Sequence, residues 1–378
     1  MNDKNVTTLD DVSWNPTRGD GLSTGAFETV DMVTLVPEAV WTWQPVEWTW
    51  WMILQLVLSI LGIVGNFLVI TVLFRRRALN QSTDTLIGAL AVADFLTSVF
   101  MIPIPTATWV PTTWLGELYC RLLFTSFFLW ICVSGSIFTL TAISIERFIA
   151  VQFPFAFNRL LRRRHVVISI FVIWGCALAA DIFIVLTISV ESSSNSCAYH
   201  FPSQVSQEIA GVTSYLLHFV IPAAVMLITQ IFAARALYQQ SLRFRGEGEV
   251  NSRSTSSYKL LQAKNKVLKL LVVVILIFII CWGPNSLGYF LYNIGAIDYT
   301  YLYGSLNKIL TLLAFCNSCA NPFIYTIQYP QFRTAIKELL TCSHGPMAAL
   351  FESSVADSTH TGYKEKSHTQ LTDIASRT

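Results

Sequence analysis

The stretch SIFTLTAISIERFIAV, residues 136–151, is apolar enough to lie in lipid, yet it carries adjacent Glu146 and Arg147 before the apolar run resumes. No other charged residue occurs in the sequence between Arg121 and Arg159. A charge at the middle of a bilayer costs about 2.5–3.5 kcal/mol on insertion scales, so an ionisable group in such a segment is kept for a task. What that task is depends on the rest of the chain.

Of the 378 residues, 53% are hydrophobic and 13% charged, whereas soluble domains carry roughly a quarter charged residues. A single water-soluble core is therefore not expected. Apolar stretches of about 20 residues, the length that crosses a bilayer, occur at 50–74, 85–106, 120–151, 165–190, 209–237, 266–293 and 301–327. Seven spans place the two ends of the chain on opposite sides. Short cytoplasmic loops carry the excess of Lys and Arg. Here Arg75, Arg76 and Arg77 follow the first span, and Arg159, Arg162, Arg163 and Arg164 follow the third. Arg243, Arg245, Arg253, Lys259, Lys264 and Lys266 lie between or around the fifth and sixth, while loops 107–119, 191–208 and 294–300 hold no Lys or Arg. The amino terminus is thus expected outside and the carboxyl terminus inside.

This organisation predicts an all-α membrane protein. It divides into an outer tail (1–48), a seven-span bundle (49–328), a juxtamembrane amphipathic helix (329–342) and a disordered inner tail (343–378). The start, MNDKNVTTLDD, is not a basic-then-apolar leader, so the first span is expected to act as its own targeting signal. Asn5, in Asn5-Val6-Thr7, is a glycosylation acceptor; Asn15 is excluded by Pro16. The tail from Ser343 is rich in Ser, Thr and charge, a composition that does not build a core.

Several polar residues interrupt the spans. Asp94 sits inside the second, in LAVADFLTSVF (90–100); Asn66 lies in the first, and Asn317 and Asn321 in the seventh. Taken singly, each is explained by hydrogen bonding between helices. Prolines kink three spans: Pro222 in the fifth, Pro284 in CWGP (281–284), and Pro322 in NPFIY (321–325). Trp282, two residues before Pro284, stands at a hinge.

These pieces occur one per span and in order: Gly65-Asn66, LAVAD (90–94), ERF (146–148), Trp174, Pro222, CWGP, and NPFIY followed by QFR (331–333). Over about 50–340 the chain resembles the rhodopsin-like (class A) G-protein-coupled receptors. The resemblance implies a receptor at the plasma membrane that binds an extracellular ligand. It would activate heterotrimeric G proteins by outward movement of the sixth helix. Glu146 would hold Arg147 at rest, with Phe148 standing where Tyr is more frequent. Two departures bear on the switch: Lys264 stands where many relatives have an acid, and Gln230 where the family usually has Tyr, which weakens a polar bridge to Tyr325. Phe278 and Trp282 match the aromatic pair that relays binding to the Pro284 hinge. Asp94, Ser136, Asn317, Asn321 and Ser318 match the positions that hold a sodium ion in resting relatives, and oxygen ligands suit such a cation. A water cluster is the alternative. Cys120 and Cys197 match the family's extracellular disulfide. Cys342, after FRTAIKELLT (332–341), is a candidate for palmitoylation. The Ser/Thr-rich tail suits a receptor kinase and arrestin.

The 27-residue interval from Cys120 to Arg147 is two longer than the family's. Two added helical residues rotate the outer end by about 200° and lengthen it by about 3 Å. Counting back from Arg147 selects Leu129 for the ligand pocket, whereas counting forward from Cys120 selects Phe127. Neither is acidic, and 118–145 holds no Asp or Glu, which disfavours a biogenic amine. Phe315 stands where an opsin's retinal-bearing lysine would be. The remaining pocket is expected to include Ser214, His218, Asn285, Tyr289, Asn307 and Thr311. An outer tail with eight Asp/Glu against two Lys/Arg up to Glu47 favours a cationic, neuropeptide-like ligand over a small neutral or lipid one. Tryptophans in WTWQPVEWTWW (41–51) could pack on that ligand or sit at the membrane interface. Asp181, inside the fourth span, is open between a ligand counter-ion and a side chain reaching the outer surface.

Outside this class, a channel or transporter would use Asp94 and the asparagines as a conduction path. The unequal spans and ordered motifs argue against it. No transition-metal cluster, phosphate loop or nucleophile elbow suggests an enzyme. The basic loops follow from topology and need no nucleic acid.

Overall fold

The structure, a computed structural model, describes residues 40–75, 82–154, 156–157, 161–246, 252–298, 300–328 and 330–341. Seven helical segments among these are long and apolar enough to cross a membrane. The first two are α1 (Trp50–Arg75) and α2 (Ser82–Phe100). Helix α2 stops short of residue 106 because Pro103 and Pro105 follow, removing backbone donors and pushing their predecessors out of the helical region.

The third span is interrupted. Helix α3 (Trp114–Tyr119) runs into a π turn, Cys120–Phe124, and Ser126 adopts a left-handed backbone (φ 54°) before α4 (Phe127–Gln152) begins. A π turn holds more residues per turn than an α-helix. The turn and the break absorb the two-residue excess between Cys120 and Arg147. The fourth span is α5 (Arg163–Leu186). The fifth repeats the device: α6 (Gln204–Tyr215) passes through a π turn, Leu216–Val220, into α7 (Ile221–Gly246). Helix α8 (Ser252–Asn293) contains Pro284. After the short α9 (Thr300–Tyr303), the seventh span α10 (Ser305–Gln328) contains Pro322. Helix α11 (Pro330–Leu340) follows, burying Phe332 and Ala335 while Arg333 and Lys337 stay exposed.

Packing closes these helices into a bundle: α1 lies on α2 and α10, α10 on α8, α8 on α7, and α7 on α4, which also meets α2 and α5. Apolar residues such as Leu90, Ile137, Met226 and Phe278 fill the interior. Large apolar side chains also face outward, most plainly on α5, where Phe171 is 74% and Leu186 70% exposed. Gly62 lets α1 approach α2, since a Cβ there would overlap the Ser98 side chain.

Two hairpin-like pairings decorate one end. Strand β1 (Thr42–Gln44) pairs antiparallel with β2 (Thr106–Trp109), so part of the stretch expected to be tail belongs to the ordered end of the bundle. Trp41 and Trp43 stack on each other, and both meet Tyr119 edge-on at 5.5 Å. Strands β3 (Ile188–Glu191) and β4 (Ser196–Tyr199) form the second pair. A Cys120–Cys197 disulfide ties β4 to the π turn of the third span. Glu117 braces the same corner, accepting from the Val190 N–H and pairing with Arg121.

Candidate functional site

At the disulfide end a cavity of ≈ 360 Å³ opens between the helices. Six residues expected there line it: Ser214, His218, Asn285, Tyr289, Asn307 and Thr311. Asn285 donates to the Thr311 hydroxyl at 3.0 Å, linking the sixth and seventh spans across the wall. Phe127 and Leu129 do not line it. Both are buried, and the third span instead presents Thr125, Trp130 and Val133. The physical reason is that the cavity extends toward the fourth and fifth spans. It therefore meets Trp130, about 100° round α4 from Leu129, and Val133, one turn further along, which neither way of counting selected.

Asp181 is also in the wall, and the structure resolves its ambiguity: it points inward and is 3% exposed. The Ser134 hydroxyl donates to its Oδ2 at 2.6 Å, and His218 Nε2 lies 3.4 Å from Oδ1. The absence of an acid in the third span therefore does not leave the cavity without one. His218 sits on the π turn of the fifth span, stacks on Phe138 (6.1 Å between ring centres) and directs Nδ1 at the Ser214 carbonyl, 2.9 Å away.

Trp282 forms part of the cavity floor and is almost wholly buried, as is Phe278 one turn below. Phe278 stacks on Phe219 at 6.0 Å, and Phe219 on Tyr215 at 5.8 Å. An aromatic chain thus runs from the cavity wall into the core beside Pro284.

Lower in the bundle, the Asp94 carboxylate accepts from the Ser136 hydroxyl and the Asn321 amide, each at 2.7 Å, and from Ser318. Asn66 donates to the Ser318 and Gly62 carbonyls. Asn317 is buried at the same depth of the seventh span. One acid thus ties the second, third and seventh spans together.

At the opposite end from the disulfide, Arg147 Nε lies 2.8 Å from Glu146 Oε2. Glu146 is 2% exposed, and its Oε1 also accepts from the hydroxyls of Ser82 (2.9 Å) and Thr83 (2.7 Å). Those two donors begin α2, and the sequence reading missed them; hydroxyls opening a span opposite a charged helix end are the signal that was available. Gln230 is buried, and neither its amide oxygen nor its nitrogen finds a hydrogen-bond partner among the described residues. Tyr325 is buried and meets Phe332 edge-on at 6.3 Å. Lys264 lies within α8, but its side chain is outside the described residues, as are Asn5 and Cys342. Among the described residues no group of three or more His, Cys, Asp or Glu gathers to hold a metal ion.

Comparison with known proteins agrees with this geometry. The family model for the 7 transmembrane receptor (rhodopsin family) matches residues 65–325. Similar proteins include the allatostatin-A receptor of Bombyx mori, 26% identical over 292 residues (75% of this chain, 78% of that protein). The galanin receptor 2b of Danio rerio is 26% identical over 287 residues (75% and 72%). The trace amine-associated receptor 7e of Mus musculus is 31% identical over 297 residues (75% and 80%). These are receptors rather than enzymes. With the family match spanning most of the chain and the motif residues meeting in space, this protein belongs to the rhodopsin family of seven-transmembrane receptors.

Proposed function

We propose that the protein is a plasma-membrane receptor, disulfide end outside, that binds a neuropeptide-like ligand and activates heterotrimeric G proteins when the sixth span swings outward. The observation that carries this is the closed contact of Arg147 with a buried Glu146, itself gripped by Ser82 and Thr83. An ion pair buried at a helix end has two arrangements with different exposure, which is what a two-state element requires. A ligand pressing on Trp282 would shift the Phe278 contact at the Pro284 kink and move the inner half of α8. Opening of the Glu146–Arg147 contact would then expose Arg147 to the G protein. Similarity to the allatostatin-A and galanin receptors supports a peptide ligand, as does the acidic outer tail. The exposed apolar faces of α5 and its neighbours suit membrane lipid.

Asp94 with the Ser136 and Ser318 hydroxyls presents oxygen atoms of the kind a sodium ion prefers. We read this cluster as an allosteric sodium site that favours the resting state. Kinase and arrestin action belongs to the tail beyond Thr341, outside the described residues.

The test is to express the chain in cells and screen amidated peptide and metabolite libraries for G-protein activation, with Arg147→Ala as the control. A peptide that signals through the wild type and is silent on the control supports the reading. Solute flux across the membrane without nucleotide exchange would support a channel or transporter instead.

A further inference from the structure

Among the described residues that line the cavity, Asp181 is the one acid, and none is Lys or Arg. Its Oδ2 is occupied by Ser134 at 2.6 Å, which leaves Oδ1 for something else. Oδ1 faces His218 Nε2 at 3.4 Å, and Nε2 is buried with no hydrogen-bond partner among the described residues. The other ring nitrogen is committed: Nδ1 lies 2.9 Å from the Ser214 carbonyl, which can only accept, so Nδ1 carries a hydrogen. Nε2 thus stands beside the carboxylate oxygen, and a donor that enters the cavity next to it would serve Oδ1. Trp130, Phe183 and Tyr289 surround the space with aromatic rings, which also attract a cation.

We propose that Asp181, beside His218, forms a subsite for a cationic nitrogen of the ligand, a protonated amine or a guanidinium, with Asp181 Oδ1 as its acceptor. This rests on reading the cavity as the ligand site. An ammonium or guanidinium brings N–H donors and a charge opposite to the carboxylate's, so it can pair with Oδ1 through a charge-assisted hydrogen bond. A neutral ligand of the same shape offers the carboxylate no opposite charge. The cation could come from a free amine or from an arginine of a peptide, and the two sources are separable by probe.

The experiment uses the full-length purified protein in lipid nanodiscs and reads the midpoint of thermal unfolding. The probes are phenethylamine and agmatine, an amidated phenylalanyl-arginine dipeptide, and neutral counterparts: 2-phenylethanol and the citrulline analogue of the dipeptide. The cations are expected to raise the midpoint with concentration while the neutral counterparts leave it in place. Asp181→Asn should weaken the cation response at least about tenfold, the effect of losing a charge-assisted contact. A response to the dipeptide but not to the small amines identifies a peptide residue as the source, and the reverse identifies a free amine. The proposal is overturned if no cation shifts the midpoint, if neutral and cationic probes act alike, or if Asp181→Asn responds as the wild type does. Should Asp181→Asn fail to fold, the comparison of charged with neutral probes on the wild type decides. Thermal shift does not depend on signalling. A protein that binds these cations yet never drives nucleotide exchange would refute the receptor reading alone.

Discussion

Glu146 is gripped at the end of the bundle opposite the disulfide by the donors around it: Arg147 on its own helix, and Ser82 and Thr83 at the start of α2. Each such bond to an ionised group is stronger than a neutral one by about 1 kcal/mol. Thr83→Val removes the shorter of the two hydroxyl contacts while keeping the shape of the side chain. Basal G-protein activation is expected to rise about two- to fivefold at equal surface expression, the population change from losing about 0.5–1 kcal/mol of resting-state grip. Unchanged basal activity would show that the α2 hydroxyls do not hold the acid at rest. Asp94 makes a second residue-scale prediction. Asp94→Asn removes the charge that a sodium ion would balance, so the stabilisation of purified protein by sodium over an equal concentration of choline should vanish. Its persistence in the variant would move the cation elsewhere.

At the scale of elements, the seven spans were legible because hydropathy reports length and apolar content directly. The π turns at Cys120–Phe124 and Leu216–Val220 were not. No composition marks such a turn, and only the interval between Cys120 and Arg147 hinted at the first. Trp130 and Val133 escaped notice for a different reason: they share the uninterrupted α4 with Arg147, and which of its side chains meets the cavity depends on how α4 packs against its neighbours. Asp181 was visible as an acid in a span, but its direction depended on where Ser134 and His218 came to rest. The polar start of α8, before the apolar run, continues a helix that a hydropathy scan cannot see. Close approach of α1 to α2 at Gly62 gives an element-scale test. Gly62→Val should overpack this contact by about 1–3 kcal/mol. Lower thermal stability is expected, and a midpoint equal to that of the wild type would mean the helices can part freely there.

For the whole molecule, the arrangement separates two tasks along one bundle: a cavity braced by the Cys120–Cys197 disulfide at one end, and a closed ion contact at the other. The Asp94 cluster and the Trp282–Phe278 pair lie between them. Truncation after Cys342 is expected to slow desensitisation and internalisation without altering G-protein activation. Normal arrestin recruitment by the truncated form would place that control within the bundle.

The central claim is that the Glu146–Arg147 contact holds the receptor at rest and that Arg147 engages the G protein once freed. It is tested most directly by nucleotide exchange on purified heterotrimers, comparing wild type, Glu146→Gln and Arg147→Ala in nanodiscs without added ligand. Exchange is expected to be about fivefold faster with Glu146→Gln, from about 1 kcal/mol of lost grip, and no higher than background with Arg147→Ala. Equal rates for all three proteins, on every heterotrimer tried, would contradict it.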